Sequence, residues 1–168
     1  MMKIALMVLL AIASGGTNAE SRTNLANPRI DAKAFLAITQ EALRYREKRR
    51  VSEHDFQRMS REPGTVILDA RSSEKYRELH IAGARNLSFP DIAEASLAVL
   101  IPDKNTRILI YCNNNFANAE KAFPTKSPSA SLNLSTFTAL YNYGYRNLFE
   151  LGPFIDSKKT ILKLVSAE

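Results

Sequence analysis

The chain has 168 residues, 45% of them hydrophobic and 24% charged, with a formal net charge of +6. That is the size and balance of one globular domain with a real core, not of a disordered tail. One cysteine excludes an internal disulfide framework, and with only two histidines it is too little and too scattered for a conventional zinc centre.

The amino terminus carries a short basic start, Met1-Met2-Lys3, then an unbroken apolar run over 4–13 and a small, polar stretch over 14–19. This pattern reads as a secretory signal peptide over 1–19, cut after Ala19, with an earlier small-residue match at Ala11-Ile12-Ala13. The apolar run is too short to cross a bilayer, which takes about 20 residues. The expected product is an exported protein, periplasmic or secreted, with no stable membrane anchor. Removal of the leader takes away one basic residue, Lys3, and leaves the mature chain mildly basic.

Residues 20–50 read as an amino-terminal extension. Its first ten residues are polar and loose, and Asp31 then caps a helix running to about Arg49, with Phe35, Ile38, Leu43 and Tyr45 as burial candidates. The basic cluster Arg44, Arg46, Lys48, Arg49 and Arg50 falls at the end of that helix, where cations offset exposed carbonyl dipoles, so it reads as a solvated helix end. Nucleic-acid binding would need basic residues interleaved with stacking aromatics, which the chain lacks. A small anionic substrate fits the same charge.

A main domain is expected over 51–168. Ser52, with Asp55 three residues on, starts a helix that buries Phe56 and Met59, and Glu62-Pro63-Gly64 ends it. Residues 65–68 form a short continuous apolar run, the mark of a strand covered on both faces, with Asp69 at its end. A helix follows over 73–79, a small strand over 84–87 and a helix over 91–100, closed by Pro102. Residues 107–111 give the second strong strand. Leu134, Phe137, Leu140 and Tyr141 keep helical spacing up to Gly144, residues 147–151 form another strand, and Gly152-Pro153 turns the chain. A last helix is expected around Ile161, Leu162 and Leu164. Such alternation argues for a parallel sheet with helices on both faces.

Cys112 stands directly after the apolar run 108–111 and before Asn113-Asn114-Asn115-Phe116. A strand end fixes the sulfur, while the following turn can aim backbone N–H groups at it and favour the thiolate. Asparagine tolerates left-handed backbone angles and adds amide donors, both useful in a loop around an anion. The competing reading is a buried thiol acting as a small hydrophobe. No Walker loop, dinucleotide-binding glycine pattern or hydrolase motif around His54 or His80 offers another centre, so neither a cofactor nor a metal is expected.

Taken in order, Ile67-Leu68-Asp69-Ala70-Arg71, His80-Ile81-Ala82-Gly83-Ala84-Arg85-Asn86-Leu87, Ile108-Leu109-Ile110-Tyr111-Cys112 and the stretch from Tyr143 to Leu151 resemble a single-domain rhodanese-like protein. The resemblance covers about 51–151. It implies a three-layer α/β/α fold with a five-stranded parallel sheet and the cysteine loop at the carboxyl edge. It further implies a sulfurtransferase or persulfide carrier, in which the Cys112 thiolate takes the outer sulfur of an anionic donor such as thiosulfate and passes it to a thiol or cyanide.

Around that site the resemblance and the local chemistry give Asp69 a structural role, accepting loop N–H bonds or pairing with Arg71. Gly83 serves a tight turn, and His80 packs and hydrogen-bonds there and is not a general base.

Active loops of the family commonly read C-x-x-G-x-R and run straight into a helix. Here Asn115 takes the glycine place and Ala117 the arginine place, and 116–130 stand as an insertion. Lys121 or Lys126 would then supply the missing cation beside Asn113, Asn114, Asn115, Phe116 and Ala117. The insertion has two expected forms: a short helix over 116–123 that restores a dipole toward the sulfur, or a lid. The alternative for the whole chain is a rhodanese-like binding or regulatory module with little turnover. A cysteine phosphatase or arsenate reductase of related fold is disfavoured because the loop lacks an arginine for the oxyanion.

Overall fold

The computed structural model describes residues 27–167, so the expected leader over 1–19 and the adjoining stretch to residue 26 lie outside the described residues. Two compact units divide the chain, Met1–Asp31 and Ala32–Glu168. Of the first, the described part is a turn in which Ile30 N–H donates to the Asn27 carbonyl (3.0 Å) and Arg29 N–H to Asn27 Oδ1 (2.9 Å).

The second unit carries the fold. Its elements in chain order are α1 (Ala32–Arg46), β1 (Arg50–Val51), α2 (Glu53–Ser60), β2 (Thr65–Asp69), α3 (Ser73–Glu78) and β3 (His80–Ile81). Next come β4 (Arg85–Asn86), α4 (Glu94–Leu100), β5 (Arg107–Tyr111), β6 (Phe116–Ala117), α5 (Leu132–Asn142), β7 (Leu148–Leu151), β8 (Ile155–Asp156) and β9 (Leu164–Val165). Five strands form one sheet in the order β1-β7-β5-β2-β4, every neighbouring pair parallel. This is the expected five-stranded α/β/α arrangement. β5 lies in the middle of it.

The alternation of side chains along the strands builds two cores. Leu68, Ile108, Ile110 and Leu148 point to one face and pack with Ala42 of α1, Leu97 of α4 and Phe137, Leu140 and Tyr141 of α5. Ile67, Leu109, Tyr111 and Leu151 point to the other and pack with Phe56 and Met59 of α2, Phe116 and Phe123. Both faces are therefore covered, which is why these strands read as continuous apolar runs.

Local chemistry sets the element ends. The Ser52 hydroxyl accepts from Asp55 N–H (3.1 Å) and starts α2, and Gly64, at φ +78, turns the chain into β2. The basic cluster at the end of α1 is more than a solvated helix end. Arg46 pairs with the buried Glu150 of β7, the Arg49 guanidinium lies over the rings of Tyr45 (4.7 Å) and Phe149 (4.9 Å), and Arg50 donates to the Gly152 carbonyl (3.0 Å). These contacts tie the helix to the sheet edge.

Two expectations fail here. Residues 161–165 are not helical: Leu162 is buried between exposed Ile161 and Lys163, a two-residue alternation, and β9 pairs antiparallel with β3. A strand partner satisfies the backbone that helix bonds would otherwise have used. Phe35 is 67% exposed, because the first turns of α1 extend past the elements that cover Ala42.

Candidate active site

Cys112 follows β5 directly, at the carboxyl edge of the sheet's middle strand. Its backbone is extended (φ −149, ψ −169), and Asn113–Asn115 then form a single 3-10 turn. The turn places Asn114 N–H 3.4 Å from the sulfur. A second polar group reaches Sγ from far along the chain, the Ser131 hydroxyl at 3.4 Å. Ser131 is the residue from which α5 starts, and its side chain makes no cap bond within the helix. Residues 116–130 thus loop out and return, and the start of α5 comes back to the sulfur. Both groups can donate to a negative sulfur, the arrangement that stabilises an anion at a strand-to-helix junction.

Asn115 holds this turn in place. Its Oδ1 accepts from Cys112 N–H (2.9 Å) and from Asn133 Nδ2 (3.0 Å), while its Nδ2 donates to the carbonyls of Leu151 (2.8 Å) and Pro153 (3.1 Å). One amide therefore joins the cysteine loop, α5 and the end of β7. The three asparagines take no left-handed angle. That conformation falls to Asn118, at φ +61. Among the described residues, no hydrogen-bond partner reaches the buried Asn113 Oδ1 or Asn133 Oδ1.

The insertion is not helical over 116–123. Phe116 and Ala117 form β6, parallel to β8, Ala117 O accepts from Ser157 N–H (3.0 Å), and the left-handed Asn118 breaks any helical continuation. Phe116 and Phe123 lie ring to ring (4.7 Å) in the core. Beyond Phe123, residues 124–130 are exposed. Asn114 Nδ2 donates to Lys126 O (2.8 Å), and Lys126 N–H donates to Asn114 Oδ1 (3.2 Å), so Lys126 lies beside the cysteine loop. Lys121 is 87% exposed and its ion-pair partner is Glu78 (3.5 Å).

Asp69, Arg71 and Tyr111 form a buried polar knot beneath the insertion. Asp69 Oδ1 accepts Arg71 N–H and Nε–H (both 3.0 Å), Oδ2 accepts Arg71 Nη2 (2.6 Å), and the Tyr111 hydroxyl donates to the same carboxylate. Arg71 also donates to the carbonyls of Ala122 and Leu79 (both 2.7 Å) and stacks over Phe123 (4.0 Å). Its guanidinium therefore pins the first half of the insertion to the sheet. His80 is buried, stacked on Tyr76 (3.8 Å), with Nδ1 2.8 Å from the Tyr76 carbonyl. Gly83, at φ +83, sits in the turn closed by Ala84 N–H to Ile81 O (2.9 Å).

Ser131, Asn133 and Tyr111 are the site residues that sequence reasoning misses. The usable signal is a serine at a helix start for Ser131; for the other two there is none short of the fold. Among the described residues, no group of three or more His, Cys, Asp or Glu side chains could hold a metal ion, and no helix is long and apolar enough to cross a membrane.

Residues 52–151 match the family described as Rhodanese-like domain. The chain belongs to that family. A relative of this rhodanese-like chain, thiosulfate sulfurtransferase PspE of Escherichia coli K12, is 37% identical over 46 residues, which are 27% of this chain and 43% of that protein. The chain thus spans less than half the length of that relative. A crystal structure of thiosulfate sulfurtransferase from Pseudomonas aeruginosa superposes with a TM-score of 0.51 at 19% identity, covering 79% of this chain and 23% of that one, which speaks for the fold alone. A structure of rhodanese with anions from Escherichia coli superposes at a TM-score of 0.42 and 22% identity, covering 61% of this chain and 98% of that one.

Proposed function

We propose that this rhodanese-like chain is a sulfurtransferase or persulfide carrier working through Cys112. The observation that supports it best is the sulfur held at the end of β5 with Asn114 N–H and the Ser131 hydroxyl both 3.4 Å away. The Cys112 thiolate attacks the outer sulfur of thiosulfate. A Cys112–sulfur bond forms, the sulfur–sulfur bond of the donor breaks, and sulfite leaves with the electron pair. The resulting persulfide is an anion at its outer sulfur, which the loop N–H and hydroxyl donors are placed to stabilise. Cyanide or a thiolate then takes that outer sulfur, leaving as thiocyanate or a new persulfide, and Cys112 is a thiolate again. Formation of thiocyanate from thiosulfate and cyanide by the purified protein tests this reading.

Ala117 stands where the family carries an arginine, so another cation has to meet the donor. Lys126 is the better placed of the two lysines, since its backbone lies against Asn114 while Lys121 pairs with Glu78. Lys126→Ala is expected to raise the thiosulfate KM about fivefold with kcat nearly unchanged, the equivalent of about 1 kcal/mol for one partly exposed charge contact. Lys121→Ala is expected to leave both constants unchanged. Equal effects of the two substitutions would contradict the assignment.

A second reading, a binding or regulatory module with little turnover, draws support from one observation: Cys112 is only 1% exposed. A covered sulfur suits a module unless something uncovers it. In either reading, 51–168 form the rhodanese-like domain and 20–50 an extension that contributes α1.

Export completes the proposal. The basic start and apolar run over 4–13 support cleavage after Ala19 and a periplasmic or secreted location. Amino-terminal sequencing of the protein made in a bacterial host is expected to begin near Glu20. A cytoplasmic product retaining Met1 would contradict it.

A further inference from the structure

We propose that residues 124–130 form a flap against the Cys112 loop, latched by the Asn114 side chain, and that this latch sets how large a reactant reaches the sulfur. The inference rests on reading Cys112 as the reacting group. The sulfur stands at the carboxyl end of the sheet's middle strand, where ligands bind in such folds, yet Cys112 is 1% exposed.

The stretch from Pro124 to Ala130 is exposed at all seven positions, is interrupted by Pro124 and Pro128, and contains one 3-10 turn, Pro128–Ala130. Its two ends are fixed differently. Upstream, Ala122 and Phe123 are buried and held by Arg71 through a 2.7 Å hydrogen bond and a ring contact. Downstream, Ser131 begins α5. Between them, the Asn114 amide makes both hydrogen bonds of a pair with the Lys126 backbone (2.8 and 3.2 Å). Among the described residues, no other side-chain hydrogen bond ties 124–130 to the rest of the chain.

A segment with no buried side chain and one exposed amide pair lies at the low end of local stability, well below the core that anchors it. It can therefore open while Arg71 and α5 stay in place. With the flap latched, the Asn114 backbone N–H also donates to the sulfur. Closed, the flap covers the thiol. Open, it admits donor and acceptor, and reclosing brings Lys126 back beside the cysteine loop.

Cys112 is the single cysteine, so alkylation of the full mature chain reads its access alone. The probes are iodoacetamide, which is small, and a bulky aromatic maleimide, compared on wild type, Asn114→Ala and Asn114→Asp. Asn114→Ala is expected to raise the maleimide rate about tenfold, the factor that losing a pair of partly exposed hydrogen bonds puts into an opening equilibrium. The iodoacetamide rate should rise less. Asn114→Asp, which keeps the acceptor for Lys126 N–H and loses the donor, should fall between. A ratio of the two rates that stays at the wild-type value in Asn114→Ala would overturn the proposal.

Hydrogen exchange on the wild type covers the case in which the variants fail to fold. Exchange at Lys126 much faster than in α5 supports the flap, and exchange as slow as α5 overturns it. Sulfur uptake is a separate measurement. A gated thiol that never takes up sulfur would sink the sulfurtransferase reading and leave the latch standing.

Discussion

Replacing Arg71 by alanine is expected to cost about 3–5 kcal/mol of folding free energy, the range for breaking a buried ion pair by removing one partner. Arg71 is 1% exposed and Asp69 fully buried, and the substitution strands the Asp69 carboxylate with the Tyr111 hydroxyl as its remaining side-chain donor. It also frees the carbonyls of Leu79 and Ala122 and removes the stack over Phe123. Against a typical stability of about 5–15 kcal/mol, such a loss removes from about a fifth of the margin to all of it. Urea unfolding of wild type and Arg71→Ala measures it. A loss below about 1 kcal/mol, the scale of an exposed pair, would mean that the knot is not a structural anchor.

The same knot has a pH signature. Burial first, and the Asp69 charge second, hold the Tyr111 phenol well above its ordinary value of 10.0. The native state then keeps a proton that the unfolded chain releases. This contribution is full below the ordinary phenol value and is lost as pH rises above it.

Much of this architecture is legible in the sequence because the strands are buried on both faces. Residues 65–68 and 107–111 leave no room for polar alternation, and the Ser52–Asp55 pairing and Gly144 mark helix ends by local chemistry alone. Where tertiary partners decide, local reading fails. Ile161 and Leu164 keep helical spacing while Leu162 and Leu164 keep the strand period, and only the pairing of β9 with β3 settles which. Phe116 likewise becomes a strand residue because Ile155 lies beside it, not because of its neighbours in sequence.

The candidate site divides in the same way. That Cys112 ends a strand follows from the apolar run before it. That Ser131 touches its sulfur does not, since the contact needs the insertion to leave and return. The four bonds of Asn115 are equally out of reach, because three of them end on residues 18 to 38 positions away.

The central claim is that Cys112 carries sulfane sulfur. Its physical basis is a sulfur fixed at the end of β5, with a backbone N–H and a hydroxyl 3.4 Å away, and no internal disulfide available to the single thiol of the chain. Intact mass and peptide mapping of the purified protein after incubation with thiosulfate measure it directly. Wild type is expected to gain one sulfur atom at Cys112 and to lose it to cyanide as thiocyanate. Cys112→Ser should do neither while unfolding with the same cooperativity. A folded wild type that gains no sulfur from thiosulfate or other sulfane donors, while a partner protein still binds Cys112→Ser, would contradict the claim and make the chain a binding module.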